Sequence, residues 1–131
     1  MTIMIAAAAL LAAAGQPQAA DPQWVDLLEL PDGAMTWYDP GSVVRREGTV
    51  RVRTRARPTR SSTTGAREYH SVEEVNCQRR TARTISLVVE MQNGESITVA
   101  TEGDEEADAI NPHSPRAALH AIVCAPSSSE I

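Results

Sequence analysis

The sequence predicts an α+β domain in which about six antiparallel strands are followed by one C-terminal helix. Three observations support this fold class. Short apolar segments alternate with turn residues, as they do in antiparallel sheets. Residues 49–57 alternate arginine with small or apolar side chains, the period of two that a strand produces. Near the C-terminus the apolar side chains change to helical spacing.

The chain of 131 residues is long enough for one domain. Residues 4–14 form an alanine-rich apolar run that is shorter than the roughly 20 residues needed to span a bilayer. We therefore expect residues 1–20 to be a secretory signal peptide, although its usual positive residues are absent. Cleavage is expected between residues 14 and 20. This leaves residues 21–131 as a single exported domain with no transmembrane segment, and no cysteine is available for a lipid anchor.

The first part of this domain is divided into strands by turn residues. We expect strands at residues 23–30, 34–39 and 42–46. Pro31-Asp32-Gly33 ends the first, because proline presets φ and glycine accepts a positive φ. Asp39-Pro40-Gly41 ends the second strand, and Glu47-Gly48 ends the third.

Residues 49–57 predict the clearest strand, with four guanidinium groups on one face. We call these residues the arginine ladder: Arg51, Arg53, Arg55 and Arg57. Such a face could bind an anionic ligand through bidentate contacts. The alternative, which we favour from the sequence alone, is a solvated face on which carboxylates of neighbouring strands relieve the repulsion between like charges. The candidate carboxylates are Glu68, Glu73, Glu74, Glu90 and Glu95.

The remaining strands are expected at residues 68–77, 81–91 and 96–101. Asn93-Gly94 between the last two is a strong signal for a tight hairpin. In the strand at residues 81–91, alternation predicts one core-facing set, formed by Ile85, Leu87, Val89 and Met91. Residues 58–65 form a polar loop, and residues 102–108 form an acidic loop that we expect to be solvated and not a calcium site.

A helix is predicted from Ser114, the N-cap, with Pro115 at its first position. Four apolar residues then follow at helical spacing: Ala118, Leu119, Ile122 and Val123. The helix is expected to end near Cys124. Because Cys77 and Cys124 are the only cysteines of an exported chain, we expect one disulfide that ties this helix to the sheet.

No combination of residues predicts catalysis, a metal site or a cofactor. Ser61 and Ser62 lie in a plain polar loop without a nucleophile-elbow motif. The histidines at positions 70, 113 and 120 lack metal-ligand spacing. The net charge of −5 argues against nucleic acid as a partner. We expect the aromatic side chains to fill the core, since the chain has no phenylalanine; they are Trp24, Trp37, Tyr38 and Tyr69.

Several short motifs follow one another along residues 24–124 in an order and spacing that match a known protein family. They are Trp24, Trp37-Tyr38-Asp39 with Ser42-Val43, Tyr69-His70-Ser71, Val75-Asn76-Cys77 with Arg79 and Arg83, and Asn111-Pro112-His113-Ser114-Pro115 before Ile122-Val123-Cys124. With these motifs the chain resembles the surface-adhesin protein E-like family of small exported bacterial proteins. The resemblance implies a curved antiparallel sheet, a C-terminal helix held by the Cys77–Cys124 disulfide, and a capacity to dimerise.

The namesake of this family is a lipid-anchored adhesin that binds host proteins. From the resemblance and the residues together, we expect an exported, non-enzymatic binding module that recognises a protein or an anionic envelope or host ligand. The arginine ladder is the candidate ligand-binding surface. The alternative is a structural or assembly protein of the bacterial cell envelope that acts as a homodimer. The expected location is the periplasm, the medium or the cell surface.

Overall fold

The computed structural model describes residues 21–59, 64–100 and 106–125. The expected signal segment, Ser61 and Ser62, residues 101–105 of the acidic loop, and the tail at residues 126–131 lie outside these ranges. The strands are β1 (Val25–Glu29), β2 (Met35–Arg46), β3 (Thr49–Arg57), β4 (Ala66–Asn76), β5 (Thr81–Met91), β6 (Ser96–Ala100) and β7 (Asp108–Ala109). The helix is α1 (Pro115–Val123).

The strands form one open antiparallel sheet. Its order is β1-β2-β3-β4-β5-β6, which follows the chain, and the two-residue β7 pairs with β5 beyond the end of β6. From β1 to β6, each pair of sequential strands is therefore a hairpin, as the frequent turn residues predict. The predicted α+β fold, with six main strands and a C-terminal helix, is confirmed.

The prediction of separate strands at residues 34–39 and 42–46 is wrong, because β2 continues through Asp39-Pro40-Gly41. The register slips between Asp39 and Val44, which are five residues apart but pair with Arg53 and Arg51 of β3, which are only two apart. Ser42 allows this bulge: its hydroxyl donates to the carbonyl of Asp39 at 2.7 Å and accepts the Arg53 amide hydrogen at 2.8 Å. The proline and glycine thus bend one strand and do not end it.

The alternation of β3 separates the two faces of the sheet. We call the face with the arginine ladder the arginine face and the opposite face, on which α1 packs, the helix face. On the helix face the buried core consists of Val50, Val52, Val75, Ala82, Leu119 and Val123. Burying a valine or leucine side chain contributes about 1.5–3 kcal/mol to folding, so this small cluster is the main source of hydrophobic stabilisation among the described residues.

The predicted alternation of β5 is interrupted at Ile85. Glu73 pairs with Thr84 and Val72 with Ser86, so Ile85 is an extra residue at a bulge. Consequently Thr84 and Leu87, three residues apart, both face the helix side. Ile85 is buried but is not part of the core cluster around α1, so the expected single face from Ile85 to Met91 is wrong at its first residue.

Helix α1 begins and ends as its sequence predicts. The hydroxyl of Ser114 accepts the amide hydrogen of Ala117 at 3.3 Å, and Pro115 occupies the first turn. Leu119 and Val123 are buried against the sheet. The disulfide from Cys124 to Cys77 is present, with a Cα–Cα distance of 5.5 Å, which confirms the predicted link between helix and sheet.

Candidate functional site

The arginine ladder lies on the sheet face that α1 leaves uncovered. Its side chains are 44%, 34%, 23% and 54% exposed from Arg51 to Arg57, so the ends of the ladder are more accessible than its middle. Each of the four guanidinium groups contacts a carboxylate of a neighbouring strand. The ladder is therefore part of an ion-pair network and not an array of isolated positive charges.

Glu68 of β4 is the centre of this network. Its carboxylate accepts two hydrogen bonds from Arg55, one of them from Nε at 2.8 Å, and a third from Nη2 of Arg57 at 2.9 Å. The hydrogen bonds from Arg55 lower the pKa of Glu68 from 4.5 to about 2, because they and the bond from Arg57 outweigh the opposing effect of burial. The same hydrogen bond to Glu68 raises the pKa of Arg55. Arg55 and Glu68 therefore form a fixed, fully ionised pair.

The two strands beside β3 and β4 extend the network in both directions. Glu74 accepts from Arg51 at 2.8 Å and from Arg83 at 3.0 Å. Burial opposes ionisation of Glu74 most strongly, yet the two guanidinium groups together hold the pKa of this carboxyl below its ordinary value. On β2, Asp39 accepts from Arg53 at 3.3 Å.

Aromatic side chains also lie on the arginine face. Trp37 of β2 lies beneath two members of the ladder, with the guanidinium carbons of Arg55 and Arg57 at 4.8 and 5.3 Å from the centre of its ring. Trp24 meets the ring of His70 edge-on at 6.2 Å. The expectation that both tryptophans fill the core is wrong, because alternation places them on the face opposite α1. Stacking on Trp37 restrains both arginines, in addition to their bonds to Glu68.

Glu68, His70 and Glu90 come together on this face, with one potential ligand atom from each lying within 4.8 Å of the others. Nε2 of His70 lies 3.2 Å from Glu68 and 3.5 Å from Glu90, but neither contact has hydrogen-bond geometry. The alternation of Glu68 and His70 along β4 was the only sequence signal for this cluster. A cation there would have to displace or tolerate the guanidinium groups that already neutralise Glu68, so the cluster is better described as part of the ion-pair network.

The carboxylates named from the sequence are divided between the faces. Glu68 and Glu74 pair with the ladder, and Glu90 pairs with Arg67 and lies near His70. Glu73 instead lies on the helix face, where its carboxylate accepts from Arg116 of α1. Glu95 lies in the turn before β6 and forms none of the ion pairs seen in the described residues. Asp39 was missed, because its Asp-Pro-Gly sequence had been interpreted only as a turn.

The domain that contains the arginine face matches a known protein family. The family model described as Surface-adhesin protein E matches residues 24–125, which is most of the chain and includes every strand and the helix. The chain belongs to the surface-adhesin protein E family. No curated protein and no solved structure matches the chain significantly.

Membership of the surface-adhesin protein E family indicates an adhesin-like binding role for an exported protein. The function that the family implies is binding and not catalysis. No helix within residues 21–59, 64–100 and 106–125 is long and apolar enough to cross a membrane.

Proposed function

We propose that this member of the surface-adhesin protein E family is an exported binding module that recognises an anionic or protein ligand through its arginine face. The observation that carries the proposal is the combination of fixed and accessible arginines on one uncovered sheet face. Arg55 is held by Glu68 and Trp37, whereas Arg51 and Arg57 keep about half of their side chains exposed. A pre-ordered guanidinium loses less entropy on binding than a free one.

The charges of the network support an anionic ligand. The ion pairs join six arginines, Arg51, Arg53, Arg55, Arg57, Arg67 and Arg83, to four carboxylates, Asp39, Glu68, Glu74 and Glu90. Positive groups are therefore in excess within this network, although the whole chain has a net charge of −5. Exposed ion pairs contribute little stability, so a ligand carboxylate or sulfate can compete for the outer guanidinium groups at small cost.

Replacement of Arg51 and Arg57 together by glutamine tests this surface. With heparin as the anionic probe, we expect the double variant to bind about tenfold more weakly than the wild type and to show a weaker dependence on salt, since two guanidinium contacts are lost. Heparin affinity is measured at several salt concentrations. The matched control is R79Q/R80Q, which removes the same charge from exposed arginines in the turn between β4 and β5.

The two double variants distinguish a site from general charge attraction. A large loss of affinity for R51Q/R57Q and a small one for R79Q/R80Q would support the arginine face. Equal losses would indicate that heparin responds only to total charge. The assignment of the arginine face as the anion-binding surface would be rejected by that result, or by a wild type that binds no heparin at low salt.

A second candidate function, assembly as a homodimer, is favoured by the edge of the sheet at β6. Within the part of the chain that the structure describes, β6 pairs only with β5. Its side chains at residues 96–99 are all exposed, including two large apolar ones, Ile97 at 47% and Val99 at 39%. An edge strand without charged side chains can pair along its outer edge with the same strand of a second copy.

Ile97→Lys tests this edge, because an exposed lysine on an edge strand opposes pairing with another strand. If the wild type dimerises through β6, we expect the variant to raise the dimer dissociation constant at least about tenfold, as measured by sedimentation velocity over a range of concentrations. Thr64→Lys, at an exposed residue outside β6, is the control for the added charge. A wild-type mass that stays monomeric at every concentration would exclude the homodimer.

A further inference from the structure

The helix face contains a cavity of about 250 Å³ between the first turn of α1 and the centre of the sheet. Its presence follows from the lengths of the elements. A helix of nine residues is about 14 Å long, whereas strands of nine to eleven residues extend about 30–36 Å. Helix α1 covers the half of the sheet around Val50, Val75 and Ala82, and the cavity lies beside its N-terminal half.

The floor of the cavity is formed by short side chains of β3 and β4. Thr54, Ala56 and Ser71 leave space that larger core residues would fill, and Leu87 and Leu119 provide apolar walls. The hydroxyl groups of Thr54 and Ser71 are 2.7 Å apart and bond to each other. This bond uses one of their two hydroxyl hydrogens, so the other can be donated to a ligand oxygen.

A charged pair forms the wall near the helix. Arg116 of α1 donates to Glu73 at 3.2 Å and to the hydroxyl of Thr84 at 3.1 Å, and that hydroxyl donates to Glu73 at 3.1 Å. The side chains of Glu73 and Arg116 are 13% and 27% exposed. The two charges neutralise each other, so a charged ligand would lose its hydration in the cavity without gaining a counter-charge. A neutral ligand would not pay this desolvation cost.

We propose that this cavity binds a neutral, mainly apolar small molecule that carries one hydroxyl or carbonyl group. An apolar cavity of about 150 Å³ accommodates benzene, so the present cavity suits a molecule of about ten non-hydrogen atoms. The apolar part would lie between Leu87 and Leu119, and the polar group would bond to the Thr54–Ser71 pair. The cavity is on the face opposite the arginine ladder, so this inference is independent of the proposed function.

The probe for the test is 2-naphthol, a neutral aromatic alcohol of the required size whose emission shifts when its hydroxyl is removed from water. We expect saturable binding of one molecule per chain to the full-length protein, with a dissociation constant on the order of 0.1 mM for a ligand of this size. Ala56→Leu, which fills the floor of the cavity, should weaken binding at least about tenfold. Val88→Leu adds one methylene group on the arginine face, a smaller enlargement, and should leave the affinity unchanged, since Val88 pairs with His70.

A second variant makes the result independent of how well the sheet tolerates leucine at position 56. Thr54→Val keeps the shape of the side chain and removes its hydroxyl, so binding of 2-naphthol should weaken about fivefold. Circular dichroism establishes which variants are folded. If A56L is not folded, the affinity of T54V for 2-naphthol tests the proposal instead. The proposal would be overturned if the wild type does not bind 2-naphthol saturably. It would also be overturned if the folded variants at positions 54 and 56 bind as tightly as V88L, which would place the probe elsewhere on the chain.

Discussion

Replacement of Cys77 and Cys124 together by alanine is expected to lower the free energy of unfolding by about 4 kcal/mol. The two cysteines are 47 residues apart, and in the chain-entropy model a crosslink over a loop of this length removes that much entropy from the unfolded state. A small domain has a total stability of about 5–15 kcal/mol, so this would be one of its largest single contributions. Chemical denaturation followed by circular dichroism measures the loss.

Noncovalent contacts remain at the C-terminal end of the helix in this variant. Arg45 donates to the carbonyl of Val123 at 2.6 Å, and the ring of His120 lies 3.3 Å from the carbonyl of Cys77. We therefore expect the double variant to fold but to lose its structure at lower denaturant concentration. The reduced wild-type chain is the matched control and should be destabilised by a similar amount. A loss below about 1 kcal/mol in both would contradict the prediction and would show that these contacts hold the helix without the disulfide.

Glu68→Gln is expected to lower the free energy of unfolding at pH 7 by about 2–3 kcal/mol. Glutamine keeps the size of the side chain but removes the charge that pairs with Arg55 and Arg57, and it leaves both guanidinium groups without their central carboxylate. Glu90→Gln, the same chemical change on the neighbouring strand, is the control. Because Glu90 and its partner Arg67 are both more exposed, we expect a clearly smaller effect, measured by chemical denaturation. Equal effects of the two variants would contradict a central role for Glu68.

The acid range provides a second measurement on the same variant. The pKa of Glu68 is lowered in the folded state from 4.5 to about 2, so its contribution is complete above pH 4.5 and is lost as the pH falls from there towards 2. The stability advantage of the wild type over E68Q should therefore be constant at neutral pH and shrink over this window. An advantage that persists unchanged to pH 2 would show that the glutamine variant is weakened by packing and not by loss of the charge.

The two faces of the sheet are stabilised by different interactions. On the helix face, small side chains and a short helix leave a cavity, and only the region near the disulfide is a closely packed core. On the arginine face, long side chains cover one another through ion pairs and through stacking on Trp37. Arg51 and Arg57 at the ends of the ladder are accessible to solvent, whereas Arg55 in its middle is held by Glu68 and Trp37. This combination suits recognition of a charged partner.

Local patterns were enough to predict most of the fold. The turns at Gly33, Gly48 and Gly94 all adopt positive φ, and the alternation of β3 places the arginine ladder on one face as expected. The N-cap at Ser114 and the pairing of the only two cysteines also follow from nearest neighbours or from simple counting. These features were accessible because each depends on a few adjacent residues or on a single constraint.

The register between distant strands was decided by the tertiary structure. Bulges at Asp39–Val44 and at Ile85 change which side chains share a face, and no local signal separates them from a turn or a regular strand. The pairing of β3 with β4 brings Glu68 to Arg55 and places Glu73 beside Val52, on the helix face. Because one residue of slip moves a side chain to the other face, the charge network and the cavity could be identified only after the pairing of β4 with its neighbours was known.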